Sequence, residues 1–306
     1  MQSAAAPEVV SSASYRRRRF LTDLLVTVIL AVFCFYFVAP VLWLVLASTK
    51  TQYDVFASSP LWFGSSFRFW DNLTHVLNYD NSVFLTWTKN SLIYTIPSVA
   101  IVILTSAAAG FGLAKYHFPG RTILLFVTII ALLIPATTLA VPIYLEGAKL
   151  GIVNTPWGVI LPTSASAFGV WICYNFFSFQ FNTEIMQAAR MDGANEYQIF
   201  AFIALPTARG VLATVAMLTF VSNWNNFFLP FLMEARDDLF PLPVGLGNMA
   251  AETVLGSQAS SAAGSAISIM DVITGAFLVA LPIAILFVAV RRYWAAGLLG
   301  GSLQGQ

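Results

Sequence analysis

Glu184-Ile-Met-Gln-Ala-Ala-Arg-Met-Asp-Gly-Ala-Asn-Glu-Tyr-Gln-Ile-Phe-Ala-Phe-Ile-Ala-Leu-Pro206 is a polar, helix-prone island between two long apolar runs, carrying charges where the chain around it has almost none. Ile185, Ala188 and Ala189 recur at i, i+3 and i+4, which predicts one narrow small-residue face with Glu184, Gln187 and Arg190 turned away from it. Asp192-Gly193 then turns the chain, since glycine accepts positive φ and aspartate hydrogen-bonds locally. Asn195 followed three residues later by Gln198 reads as an N-cap with a capping-box partner, so a second helix is expected from about Glu196 until Pro206 stops or kinks it. The product is helix, tight turn, helix. Two small alanines would let a partner surface approach closely. The competing reading is an ordinary cytoplasmic loop whose short amphipathic helices lie on lipid headgroups.

Working outward, the 306-residue chain is 58% hydrophobic and only 9% charged, against roughly a quarter charged in soluble domains. That excludes a soluble globular protein. A formal net charge of +1 with no extended basic face beyond Arg16 to Arg19 excludes a nucleic-acid partner. Cys34 and Cys173 both fall in apolar runs and are read as packing residues, with neither a disulfide framework nor a metal site indicated. His75 and His117 stand in loops without ligand-spaced partners.

Residues 1–20 read as a disordered basic N-terminal tail. The apolar run behind Arg16–Arg19 is too long for a signal peptide and lacks a small-residue cleavage site, so it is expected to remain as an anchor. Six uncharged stretches each approach or exceed the ~20 residues of a bilayer crossing: Leu24–Ala47, Leu92–Ala114, Thr122–Leu145, Gly158–Phe179, Gly210–Met233 and Val272–Val290. With the N-terminus inside, Arg16 to Arg19, Lys115, Arg121, Arg190, Arg209, Arg291 and Arg292 lie inside, and Lys50, Arg68, Lys89, Lys149 and Arg236 outside. The excess of basic residues inside predicts that both termini and the 184–206 island face the cytoplasm. The domain plan is therefore a tail over 1–20, a first transmembrane helix and long outer loop over 21–88, a core of five transmembrane helices over 89–292, and a C-terminal tail over 293–306.

The outer stretch 49–89 holds Trp62, Phe67, Phe69, Trp70 and Trp87, suited to a membrane-interface belt or a partner surface. From Glu234 to Asp271, Pro241, Pro243, Gly245, Gly247 and the Ser257–Ser268 tract suggest either a mobile inserting loop or a slack linker. Inside the fifth span, Asn223, Trp224, Asn225 and Asn226 form a polar-tipped cluster that is costly in hydrocarbon unless it faces a cavity or other helices. A solute pathway and plain interhelical hydrogen bonding weigh at least equally. Pro135, Pro142, Ser164, Ser166 and Asn175 are open to the same two readings.

Glu184, Gln187, Ala188, Ala189, Asp192, Gly193 and Ala194, continued by Ile203, Leu205 and Pro206, resemble the EAA loop by which ABC-importer permeases dock on their ATPase subunits. Gln187 stands where that family usually has a glutamate, keeping hydrogen-bonding reach but losing charge. From Asn90-Ser91 onward the chain is similar to the maltose-permease-type subunits of carbohydrate ABC importers. The likeness is carried by Ala114–Arg121, Ile134-Pro135 with Pro142-Ile-Tyr144, Leu150–Thr155, Phe220 through Trp224-Asn225, and Gly297-Leu298. About two-thirds of the chain is covered. Asn225-Asn226 departs from the family in having an amide where an acid is common, and Gln304 stands where the C-terminal tail usually has lysine.

The resemblance implies an all-α membrane protein with six transmembrane helices and the type I ABC importer (MetI-like) permease fold. It also implies a second, usually different, permease subunit, two ATPase subunits binding ATP and Mg, an extracytoplasmic solute-binding protein, and a sugar or oligosaccharide as solute. Its place would be the cytoplasmic membrane of a bacterium or archaeon. The chain itself contains no G-x-x-x-x-G-K-[ST] phosphate loop, nucleophile constellation or carboxylate pair, so no catalytic residue and no bound cofactor is expected in it. An ion-coupled secondary carrier and a non-transporting membrane scaffold are the competing classes. A carrier usually keeps an ionisable residue near mid-bilayer, and these spans have none.

Overall fold

The computed structural model describes residues 12–259 and 267–302, and every described element is helical. Residues 1–72 and 73–306 form two compact units. In the first, α1 (Ser12–Ala47) contains the expected first span, and α2 (Gln52–Ala57) follows in the outer stretch. The helix begins at Ser12, inside the stretch expected as a tail, because arginine and alanine are good helix formers and continue it N-terminally. Residues 1–11 and 303–306, and with them Gln304, lie outside the described residues.

Helix α3 (Phe69–Asn78) leads into α4 (Val83–Lys115), the central helix of the second unit. Then come α5 (Arg121–Leu133), α6 (Ala136–Lys149), α7 (Pro156–Thr163), α8 (Ala167–Phe179), α9 (Thr183–Met191) and α10 (Glu196–Thr207). The chain continues through α11 (Arg209–Trp224), α12 (Phe228–Met233), α13 (Leu242–Ala259) and α14 (Ile269–Ser302).

Among the described residues, four helical segments are long and apolar enough to cross a bilayer on their own, and the number reaches six if two bent pairs each count as one span. The expected third span is such a pair: α5 and α6 meet at 106° around Pro135. Proline removes an amide donor and disfavours helical geometry in the residue before it, here Ile134 in extended conformation. The expected fourth span is interrupted at Ser164–Ser166, and the expected fifth gives way at Asn225, with α12 continuing it.

Helices α4 and α8 pack closely because Gly110 lets them. A Cβ placed there would stand 2.5 Å from Cys173 Cβ and 2.7 Å from the Tyr174 backbone nitrogen. Below this crossing Phe111, Cys173, Phe177, Phe181 and Val215 join Met186, Ala189 and Ile199 in one buried apolar cluster. At the other end of α4 a second cluster gathers Val76, Phe84, Trp87, Trp224, Leu242 and Met249.

The segment after α12 is held firmly rather than slack. Side chains on α4 accept or donate along it: Trp87 Nε1 to Asp237 O (3.0 Å), Asn90 Nδ2 to Asp238 O (2.8 Å) and Phe240 O (3.1 Å), and Tyr94 Oη to Leu239 O (2.6 Å). Ser91 Oγ accepts the Leu242 amide at 2.8 Å, and α13 starts there. Pro243, Gly245 and Gly247, expected in a loop, are helical. Tertiary contact overrides their low helix propensity, since a Cβ on Gly245 would meet the Trp87 ring at 2.2 Å. Most of the Ser257–Ser268 tract lies outside the described residues.

Candidate functional site

Two features stand out, a helix-turn-helix at one end of the second unit and a cavity within it. In the first, Asn182 caps α9 by accepting the Glu184 amide at 2.8 Å. The other end closes on a left-handed glycine: Gly193 has φ +85°, its amide donates to Arg190 O (3.1 Å), and the Ala194 amide donates to Ala189 O (2.9 Å). This is the paired bonding of a Schellman stop. The predicted capping box is present, with Gln198 N donating to Asn195 Oδ1 (2.9 Å) and Asn195 N to Gln198 Oε1 (2.8 Å).

Helix α10 runs past Pro206. Its Ile199–Ala204 segment is π-helical, and the sharp bend of 75° falls next to Ala208, between α10 and α11. A wider turn leaves room for the proline ring and makes its missing amide donor inconsequential.

The face of α9 that packs within the chain takes one of its two small residues, Ala189, together with Met186. Met186 and Ala189 are buried, while Ile185 and Ala188 are exposed with Glu184, Gln187 and Asp192; Ala194 is half-buried. The aromatic cluster of Phe111, Phe177 and Phe181 takes the long, adaptable thioether of Met186. This leaves Glu184, Ile185, Gln187, Ala188 and Met191 exposed among the described residues, Met191 to 88%.

Three groups that sequence spacing does not reveal lock the motif. Lys115, at the end of α4, donates Nζ to Phe181 O and Thr183 Oγ1, both at 2.9 Å. Arg190 and Glu196 bridge the turn, Nε to Oε1 at 2.7 Å and Nη2 to Oε2 at 3.2 Å. Tyr116 Oη donates to Glu196 Oε2. The Arg190 hydrogen bond, then that of Tyr116, holds the Glu196 carboxyl below the usual carboxylate range, and Arg190 is raised in return. Burial first, and then Glu196, push the Tyr116 phenol up to about 12. Between the turn and α10, Asp192, Gly193, Gln198, Phe202 and Ile203 line a surface depression of about 350 Å³.

The cavity, about 910 Å³, lies where α6, the α7–α8 junction, α11 and α12 meet. Its polar lining includes Ser166, Thr219, Ser222, Asn223 and Asn226; Pro142 also faces it. Among the described residues Glu146 is the only charged one in the lining, and Lys149 pairs with it at 2.7 Å. Asn223 Nδ2 is buried without a hydrogen-bond partner among the described residues. Its neighbours go elsewhere. Trp224 is buried, stacked on Phe220 with centroids 5.5 Å apart, and donates Nε1 to Val279 O on α14 at 2.9 Å. Asn225 bonds back to Val221 O at 2.9 Å. Ser164 and Asn175 satisfy carbonyls of their own helical segments, Ile160 O (2.6 Å) and Trp171 O (2.7 Å).

Residues 106–298, which contain both features, match the family model of the binding-protein-dependent transport system inner membrane component. The chain belongs to this family. Over 92% of its length this inner membrane component is 32% identical to the arabinooligosaccharides transport system permease protein AraQ of Halalkalibacterium halodurans, covering 96% of that protein. It is 27% identical to the lactose transport system permease protein LacG of Rhizobium radiobacter, over 92% of this chain and 97% of that one. A chain from the crystal structure of a bacterial ABC transporter involved in the import of the acidic polysaccharide alginate superposes with a TM-score of 0.76 at 23% identity. That superposition covers 91% of this inner membrane component and 98% of the solved chain, and it shows that the two share a fold.

Proposed function

We propose that the chain is a permease subunit of an ATP-driven, binding-protein-dependent importer for a sugar or oligosaccharide. It spans the cytoplasmic membrane of a bacterium or archaeon six times, with both termini inside. A second, different permease subunit encloses the path with it, an external binding protein delivers the solute, and two ATPase subunits bind the ATP and Mg that this chain does not. The reading is carried by one observation: the exposed α9 surface belongs to a motif locked at both ends to α4 and buried on its far side.

Such a handle transmits force. Movement of α9 drives α4 and α8 through Met186, Phe181 and Lys115 rather than being absorbed by a loop, so ATP-driven closure of the motor rocks the spans between inward-open and outward-open states. Glu184, Gln187, Ala188, Ala189, Asp192, Gly193 and Ala194 make the docking element, with Ala189 serving as its inward anchor. For the solute, Asn223 and Asn226 are the residues of choice, with Trp224 and Asn225 shaping the helix that presents them. Amides and hydroxyls with apolar walls suit sugar hydroxyls and ring faces. The sugar reading draws support from the transport names of the relatives.

The test is reconstitution with the ATPase subunits, the companion permease and the binding protein, using Gly193→Pro. Proline cannot adopt φ +85°. Solute-stimulated hydrolysis is expected to disappear while the variant still inserts and co-purifies with the companion permease; undiminished stimulation would rule out the docking role.

A further inference from the structure

Between Lys50 and Arg68 the sequence has a single charged residue, Asp54. The first unit turns both Lys50 and Asp54 inward. Lys50 is 1% exposed and donates Nζ to Ser58 Oγ (2.9 Å) and Ser59 O (2.7 Å). Asp54 is 5% exposed, and its Oδ2 accepts from Thr51 Oγ1 (2.9 Å), Ser65 Oγ (2.9 Å) and the Ser65 amide (3.1 Å). Gly64 is required for that closure, since a Cβ there would stand 2.7 Å from Asp54 Oδ2. The segment is tied to the end of α1 by the Arg68 amide on Thr49 O (2.7 Å) and Asn72 Nδ2 on Ser48 O (2.9 Å) and Lys50 O (3.0 Å).

The inversion leaves a rigid module with polar groups inside and aromatics outside. Tyr53, Phe56, Trp62, Phe63 and Phe67 are each more than half exposed, from 52% for Phe63 to 78% for Tyr53. The exposed charges that border them, Arg68 and Asp71, are paired with each other at 2.8 Å. The module starts directly behind Ala47, where the uncharged run Leu24–Ala47 of α1, with exposed apolar side chains over most of its length, ends.

We propose that this aromatic surface rests in the headgroup layer of the bilayer and anchors the outer end of α1 there. A surface of rings bordered by one neutralised ion pair, Arg68–Asp71, matches a layer that accepts apolar bodies and still offers water and phosphate to the Trp62 indole N–H and the Tyr53 hydroxyl. A water-facing loop of this composition would hold its charges outside and its rings within, the reverse of what is found. Placing the contact in the outer leaflet rests on the orientation proposed above; the lipid contact itself does not.

The test uses the complete transporter in phosphatidylcholine nanodiscs whose acyl chains are brominated either close to the headgroup or near the chain end. The Trp62 signal is the emission of the parent protein minus that of Trp62→Phe, with Trp62→Tyr as a second blank should the first assemble poorly. Shallow bromines are expected to quench this signal about twofold more than deep ones, in keeping with burial of only ~5–10 Å, and aqueous acrylamide to quench it weakly. Strong acrylamide quenching would overturn the proposal in favour of a water-facing loop. Protection from both quenchers would overturn it in favour of a surface covered by another subunit. Failure of ATPase coupling in the same preparation would bear on the importer reading and not on this one.

Discussion

Arg190 and Glu196 face each other across the Asp192-Gly193 turn, Nε to Oε1 at 2.7 Å, and join the last turn of α9 to the first of α10. The pair lies on the exposed side of the motif, whose opposite side is sealed by Met186 and Ala189. Its contribution is to orientation more than to stability, because exposed ion pairs are largely screened.

Arg190→Ala and Glu196→Gln are therefore expected to leave the melting temperature nearly unchanged while lowering solute-stimulated ATP hydrolysis several-fold. Thermal denaturation and coupled ATPase assays on the same preparations check both halves. For pH, the folded-state pKa of Glu196 is depressed below its ordinary 4.5. The pairing is thus fully present above 4.5 and is lost as pH falls through the lower, folded-state value. Loss of coupling on acidification that begins near neutral pH would have to originate elsewhere.

Gly193→Ala tests the turn more gently than proline. An L-residue at φ +85° is strained by ~1–2 kcal/mol. The turn is exposed and local, so the expected result is reduced coupling with a small drop in melting temperature, and Gly193→Asn, which tolerates the left-handed region better, is expected to recover much of it.

Gly110→Ala tests the α4–α8 crossing. A methyl there meets Cys173 Cβ at 2.5 Å and backbone at 2.7 Å, so the helices must separate. Overpacking of this kind costs ~1–3 kcal/mol. A melting temperature in detergent equal to that of the parent would show that the helices are not in contact there.

Glu234 gives the pH dependence opposite to that of Glu196. It is 2% exposed, neither carboxylate oxygen has a hydrogen-bond partner among the described residues, and Arg236 is engaged by Asp238 at 2.6 Å. Burial pushes its pKa up to about 8 from an ordinary 4.5. With the folded-state value the higher one, the stability it supplies is full below 4.5 and declines as pH rises to about 8. The melting temperature should fall across that window and then level off, and Glu234→Gln should flatten the curve. An unchanged slope in the variant would contradict the assignment.

Asn223→Leu separates the two readings of the polar cluster. Because Nδ2 has no partner, removing the amide relieves an unsatisfied buried donor, and stability should hold or rise. If Asn223 meets solute, transport should fall by about tenfold, the loss of one good hydrogen bond at a site. A destabilised protein with normal transport would restore the interhelical reading.

Local signals were legible in the chain and long-range ones were not. The apolar stretches announce themselves because each exclusion of charge is a property of consecutive residues, and the Asn195–Gln198 capping box needs only a spacing of three. The asparagine run was harder. Successive helical residues are ~100° apart around the axis, so Asn223 lines the cavity while Trp224 turns to Val279 and Asn225 to Val221. Lys115 and Tyr116 lie 68 and 80 residues from the groups they bind in the helix-turn-helix, and no periodicity encodes such pairs.

What the amino-acid order settled by itself is that this is a helical membrane chain with a capped, glycine-turned polar motif, because hydropathy, caps and turns act over a few residues. Only the folded chain decided that Met186 rather than Ala188 faces inward, that a proline splits one expected span into two helices at 106°, and that the 237–242 segment is stapled to α4. Those outcomes depend on which ring, glycine or carbonyl a distant segment presents, and that is fixed only when the helices pack.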